Sequence, residues 1–392
     1  MEHSVKRFTV VLVAFCFILC FSNASAEEFL VGSHVPLTGP TARSGIAQHE
    51  GIMVAKELFN QQNPKYKITV LTVDDEGSPA KAVAGVEKLA YKDNVLAISG
   101  GYGSNVIGPA SDAANKAGLV YMTGGGVSDH LVARGYKTFF RVNNKLGYSK
   151  AMVGLYTEMG IKSLSILYIT REVTTDIAKD VKNSIGEKGV EVFMHPFDPG
   201  TTDFKPLINK VKLQDKSEAI LMSCYENDYI GIIRACKVLK PPTVKAILGF
   251  WALATATMWK EFSDLMPNVY GTTPVPYPPE YRTDEGKNFV GMYKKLLNKS
   301  PEDDVVFGYV QAQILFDSIA QAHNKGTLAK GGLIDELRKV KRDTLLGLVE
   351  IDEKGDNPGF SHTIAQHQNG KIVIVWPEKS VTGKKVFPGV PW

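Results

Sequence analysis

Two passes of one rhythm constrain what this chain can fold into: short apolar runs of strand length alternate with amphipathic stretches of helix length. In the first pass "FLVGSHVPLT", "KITVLTVDD", "VLAISG" and "LVYMT" read as strands. Between them, "GIAQHEGIMVAKELFNQQ" sets Ile46, Ile52, Ala55, Leu58 and Phe59 near one helical face, and "SPAKAVAGVEKLAYKD" opens with a Ser-Pro helix entry. After "TFFRVNN" the rhythm restarts and runs from "SLSILYI" to "ATMWKEF". Strands alternating with helices predict an open, mostly parallel sheet, so the chain predicts two α/β lobes, each doubly wound.

Composition shifts at Thr272–Gly286, where Pro274, Pro276, Pro278 and Pro279 crowd together. Such a segment makes a poor helix or strand and a good connector. Beyond it come three helical stretches, "GKNFVGMYKKLLN", "VVFGYVQAQILFDSIAQAHNKG" and "GGLIDELRKV", and then the strand-like "TLLGLVEID", "SHTIAQHQ" and "KIVIVW". The expected division is 27–147 plus 276–349 for lobe 1 and 148–275 plus 350–392 for lobe 2. A chain that crosses more than once between lobes makes a hinge with a cleft beside it.

The start of the chain is read apart from the fold. Lys6 and Arg7 precede the apolar run Val10–Phe21, and "ASA" at Ala24–Ala26 closes it. The run is shorter than the roughly 20 residues that span a bilayer. It matches a secretory signal peptide, residues 1–26, cleaved after Ala26, which directs the product to the periplasm. Cys16 and Cys20 leave with it, and the remaining Cys224 and Cys236 read as buried thiols at a strand end and in mid-helix. The net charge of +4 is small and scattered, which argues against a nucleic-acid partner.

Two glycine-rich junctions carry the functional signal: "SGGYGSNVIGPA" after one strand and "TGGGVSD" after the next. Ligands of open α/β sheets bind beyond the carboxyl ends of the strands. Glycines there let the backbone approach a ligand, and the helix that follows starts near Ser104, with Pro109 expected in or near its first turn. Its first amides lack internal partners, and a carboxylate suits them. Other chemistries fail on residues. "GSNVIGPA" has Pro109 and Ala110 where a phosphate loop needs Lys and Ser or Thr, and "GYGSNV" has Val106 for the third glycine of a dinucleotide fingerprint. No G-x-S-x-G occurs, His49 is not in H-E-x-x-H, and His362 with His367 lack a third metal ligand. No catalytic residue, metal or cofactor is expected.

"VPLTGPTARSG", "VDDEGSPAKAV", "NVIGPASDAANKAGLVYMT", "ARGYKTFFRV" and "DEKGD" resemble, in this order, the branched-chain amino-acid-binding proteins of bacterial periplasmic transport. The resemblance covers the chain beyond residue 26. It implies the type I periplasmic binding protein fold, with two lobes, three crossovers and closure on a ligand, and it implies a monomer that delivers the ligand to an ABC transporter permease without catalysis. Carried over by position, Ser104 holds the ligand carboxylate with amides beside it, flanked by Gly103 and Tyr102. Gly125 falls where a carbonyl helps hold an ammonium, and Val127 falls where a threonine usually stands, with Ser128 adjacent. Tyr225 matches an aromatic of the cleft, and Trp251 falls near the acid that pairs with the ammonium. Val173 and Ser44 fall where tyrosines occur.

Tyr102, Tyr225, Phe250 and Trp251 are expected to make the cleft aromatic. Arg43 is placed either to reach a ligand acid bidentately or to stand solvated on its loop, and Glu226 and Asp228 either face the ligand or cap a helix. The expected ligand is a small apolar or aromatic carboxylate, its α-amino group left open. An exported sensor feeding a membrane receptor would use the same fold.

Overall fold

A computed structural model describes residues 26–251, 253–274, 283–302 and 304–392. Residues 1–25, on which the expected leader falls, and the middle of the proline-rich connector, 275–282, lie outside them. No helix among the described residues is long and apolar enough to cross a membrane.

Lobe 1 opens with β1 (Glu27–Val35), α1 (Ala42–Gln62), β2 (Tyr66–Asp74), α2 (Pro79–Tyr91), β3 (Ala97–Ser99) and α3 (Ser104–Lys116). It continues with β4 (Val120–Thr123), α4 (His130–Ala133) and β5 (Phe139–Arg141). These strands form one parallel sheet in the order β2-β1-β3-β4-β5. Lobe 2 follows as α5 (Lys145–Met159), β6 (Ser163–Ile169), α6 (Glu172–Gly186), β7 (Glu191–Phe197) and α7 (Lys205–Lys210). After these come β8 (Ala219–Ser223), α8 (Glu226–Leu239), β9 (Ala246–Gly249), α9 (Ala256–Glu261) and β10 (Tyr270–Thr273).

The chain then returns to lobe 1 with α10 (Asp284–Leu297), α11 (Val305–Asn324), α12 (Gly332–Arg338) and the hairpin β11 (Lys341–Thr344) and β12 (Gly347–Glu350). It ends in lobe 2 with β13 (Thr363–Gln368) and β14 (Lys371–Trp376). The second sheet runs β14-β13-β10-β9-β8-β6-β7, with β13 and β14 antiparallel. The passages at 142–144, between β10 and α10, and at 351–362 join the lobes. The architecture is the α/β, doubly wound, two-lobed fold expected.

Local chemistry sets the ends. Ser78 caps α2 with Pro79 in its first turn, and Thr283 caps α10, which carries Asp284 and Glu285 at its start and Lys294 and Lys295 at its end, matching the helix dipole. "TLLGLVEID", read as one strand-like run, folds as a hairpin because Leu345 and Leu346 turn into the lobe 1 core at its bend. Pro109 stands sixth in α3, a turn later than expected; its missing N–H forfeits only the bond to the Asn105 carbonyl.

The main core of lobe 1 packs Ile52, Val54 and Leu58 of α1 against Val306, Val310 and Ile314 of α11. The two helices meet backbone to backbone. A Cβ on Gly51 would sit 2.1 Å from the Val305 carbonyl, and one on Gly308 would sit 2.0 Å from that of Gln48. This crossing brings Gln48 and the start of α11 to the same place. Cys224 and Cys236 are free, buried thiols, and burial pushes both pKa values up. His362 and His367 are also buried, which holds them down at about 3 and about 4, so both stay neutral.

Candidate functional site

The two glycine junctions interlock. Tyr102 and Gly125 form a parallel bridge, and the Gly103 N–H donates to the Gly125 carbonyl at 3.0 Å. Gly103 caps α3 with φ 84°, a conformation that favours glycine. Beneath the loop, the Gly101 N–H donates to the His34 carbonyl at 2.7 Å, and the His34 ring spans Asp75 and the Tyr121 hydroxyl. Ser104 opens α3, and its Oγ accepts the Val127 and Ser128 N–H groups at 3.1 and 3.0 Å. With both acceptor positions filled, the hydroxyl has its proton to give. The Ser104 and Asn105 amides belong to the first helical turn and have no intrahelical acceptor.

Around this point the lobes border a partly open cleft with about 410 Å³ of space between atoms, open solvent included. Lobe 1 contributes Gln48, Tyr102, Gly103, Ser104, Gly124, Gly125, Val127, Asn143, Asp304 and Phe307, and lobe 2 contributes Tyr148, Val173, Tyr225 and Trp251. The lobe 2 wall is aromatic. Tyr225 and Trp251 stack at 5.4 Å between centroids, and Tyr148 lies 5.6 Å from Trp251. Burial pushes the Tyr225 hydroxyl up to about 12, so it stays protonated.

Seven sequence-predicted residues line the cavity: Tyr102, Gly103, Ser104, Gly125, Val127, Tyr225 and Trp251. Three expectations are corrected. Arg43 stands in the first turn of α1, at the mouth, where Nε meets Glu226 at 2.9 Å and Nη2 meets Glu261 at 2.9 Å. It clasps one lobe to the other instead of reaching inward. The Ser128 hydroxyl donates to Glu172 of α6 at 2.6 Å, a second contact between lobes, and does not line the cavity. Phe250 is fully buried behind Trp251, 5.2 Å between centroids. The Gly125 carbonyl accepts the Gly103 N–H and keeps a second lone pair beside the cavity. Asp228 caps α8 by accepting the Tyr225 N–H at 3.1 Å.

Asp304, Gln48, Asn143, Tyr148 and Phe307 were missed. Asp304 precedes α11, accepts a hydrogen bond from the Ser44 hydroxyl, and is raised to about 7 by burial and by the charges of Glu302 and Glu226. The signal for it was present: an acidic pair before a long apolar helix, in "PEDDVVFGY".

The chain matches the family model described as "Periplasmic binding protein" over residues 29–371. It is 24% identical to the Leu/Ile/Val-binding protein of Escherichia coli (strain K12), over 92% of this chain and 96% of that one. Among solved structures it is similar to a leucine binding protein from Thermotoga maritima, with a TM-score of 0.78, 21% identity, and 89% and 98% of the two chains covered. It is also similar to a solute binding protein of R. palustris in complex with benzoate, with a TM-score of 0.77, 17% identity, and 91% and 100% covered. The family consists of solute-binding proteins rather than enzymes. With two lobes, a cleft at the strand ends and a family match over most of its length, this chain belongs to the periplasmic binding protein family.

Proposed function

We propose that the chain is the periplasmic receptor of an ABC importer, exported by a leader cleaved after Ala26 and acting as a monomer. It takes a small carboxylate-bearing solute with an apolar or aromatic body between its lobes and offers the closed form to a membrane permease. The observation that carries the reading is Ser104: its hydroxyl proton and the first-turn amides of α3 converge on a cavity walled by Tyr148, Tyr225 and Trp251. An anion suits those donors, and rings suit an apolar body. Closure then rests on polar contacts between the lobes, Arg43 to Glu226 and Glu261, and Ser128 to Glu172.

A thermal-shift screen of the chain from Glu27 against aliphatic amino acids, aromatic acids and small amides tests this, because a ligand of the native state raises its melting temperature. At least one carboxylate of the panel is expected to do so; no shift from any of them defeats the reading. Ser104→Ala is expected to weaken that ligand by about 10-fold or more and to cost about 1–3 kcal/mol of stability, since two buried N–H groups lose their acceptor. Calorimetry and melting curves measure the two effects separately. Arg43→Ala removes a partly exposed clasp worth about 1 kcal/mol or less, so ligand release should quicken by no more than about fivefold. Stopped-flow tryptophan fluorescence reads that rate through Trp251.

A further inference from the structure

Beneath the glycine loop, one apolar cluster joins Ile98 and Phe139 of the lobe 1 sheet to Val86 of α2 and Ile107 of α3. Three polar groups are set against it. Asp75 follows β2, His34 is the last residue but one of β1, and Tyr121 belongs to β4; they are 0%, 0% and 1% exposed. The Asp75 carboxylate accepts the Nδ1 proton of His34 at 2.7 Å, and Nε2 pairs with the Tyr121 hydroxyl at 2.5 Å. Asp75 is also held from its far side, where Oδ1 accepts the Gly77 N–H at 2.8 Å. Apolar side chains of the same size would fill this place without the cost of burying polar groups, so stability alone does not account for the trio.

Its position does. β3 lies between β1 and β4 in the sheet, so the bond from His34 to Tyr121 crosses the path of the chain as it leaves β3 for α3. The loop rests on this bar. A Cβ at Gly101 would run into the Tyr121 oxygen and stand 3.2 Å from Cε1 of His34, and the Gly101 N–H donates to the His34 carbonyl at 2.7 Å. Two residues on, Gly103 caps α3 and Ser104 opens it, so any change in the height of the loop passes to the first-turn amides.

We infer that His34 is a positioning residue of the anion subsite: braced by Asp75 and Tyr121, it fixes the height of the Gly100–Gly103 loop and with it the aim of the α3 amides. None of the three is among the described residues that line the cleft. The inference rests on the reading of the cleft as the solute site. An imidazole suits the task, since its two nitrogens stand on a rigid ring and can join a carboxylate to a hydroxyl. Coupling of this kind is reciprocal: if the brace sets the affinity for an anion, an anion held at the amides acts back on the brace.

The test is titration calorimetry of the chain from Glu27, and of its Tyr121→Phe variant, with benzoate and L-leucine, two carboxylates of unlike body. The variant deletes one oxygen and keeps the ring. At least one probe is expected to bind the parent and to bind the variant about 10-fold more weakly, with the circular dichroism spectrum unchanged. A second measurement needs no variant. Two-bond proton–nitrogen NMR spectra of protein labelled in histidine report the His34 ring nitrogens through its carbon-bound protons, and both nitrogen shifts should move when that probe saturates the protein. A merely structural brace would leave them fixed. If a probe binds both proteins alike, or the His34 nitrogens stay fixed on saturation, the positioning role is overturned and the receptor reading stands. Should Tyr121→Phe fail to fold, the nitrogen shifts decide. If neither probe binds the unaltered protein, both readings fall.

Discussion

Asp356→Ala should lower the melting temperature by roughly 10 °C, because it strands a buried guanidinium, a loss on the order of 3–5 kcal/mol. Arg141 ends β5 and is 1% exposed. Its Nε and Nη2 each meet a carboxylate oxygen of Asp356 at 2.7 Å, a two-pronged pair. The turn around Asp356 is itself tied down: the Asp352 carboxylate accepts the Lys354 and Asp356 N–H groups, and the Gly355 carbonyl accepts the Arg141 N–H at 2.8 Å. Asp356 lies in the last passage between the lobes, so this pair fastens the hinge to lobe 1. The third arm of Arg141, Nη1, donates to the Ser128 carbonyl at 2.8 Å and so holds the loop whose amides Ser104 accepts. Replacing both partners, Arg141→Met with Asp356→Leu, should recover part of the stability, since an apolar pair leaves no buried charge, yet ligand affinity should remain low because the Ser128 loop has lost its anchor. Melting curves and calorimetry separate the two. A single variant that melts within about 2 °C of the parent would show that the pair does not fasten the hinge.

The fold was legible because its evidence is local. A β-strand or a helix declares itself by the period of its apolar residues, and the two glycine junctions declare themselves by composition at strand ends. Ser104, Tyr225 and Trp251 follow strand ends directly, so placing the strands placed them. Asn143 also follows a strand, β5, but "RVNN" offers two asparagines and nothing local says which faces inward; Asn144 caps α5 instead. Gln48 and Asp304 were harder still. Gln48 lies within α1 and Asp304 just before α11, and what brings them together is the close crossing of these helices, a contact between segments some 250 residues apart. Arg43 and Ser128 were misjudged for a related reason. Their nearness to the strand ends is local information, but the acids that turn them away from the ligand, Glu226, Glu261 and Glu172, belong to the other lobe.

Asp304→Asn should make the ligand-free protein more stable at alkaline pH, by about 5 °C or more in melting temperature at pH 8, and change it little at pH 4. In the folded protein burial is the larger cause of a pKa near 7, with the charges of Glu302 and Glu226 adding to it, against 3.8 for an unperturbed aspartate. Between those two values the folded state binds the proton that the unfolded state has released. Stability from this group is therefore fully present below about pH 4 and lost as pH rises through about 7, after which the deficit is constant. Asparagine keeps an oxygen that accepts the Ser44 hydroxyl and carries no charge to bury, so the variant lacks that descending limb. Contributions from other groups are common to both proteins, and the difference between their melting curves from pH 4 to pH 8 isolates Asp304. A flat difference, or a variant less stable at pH 8, would mean that the carboxylate is held ionised by partners within the protein.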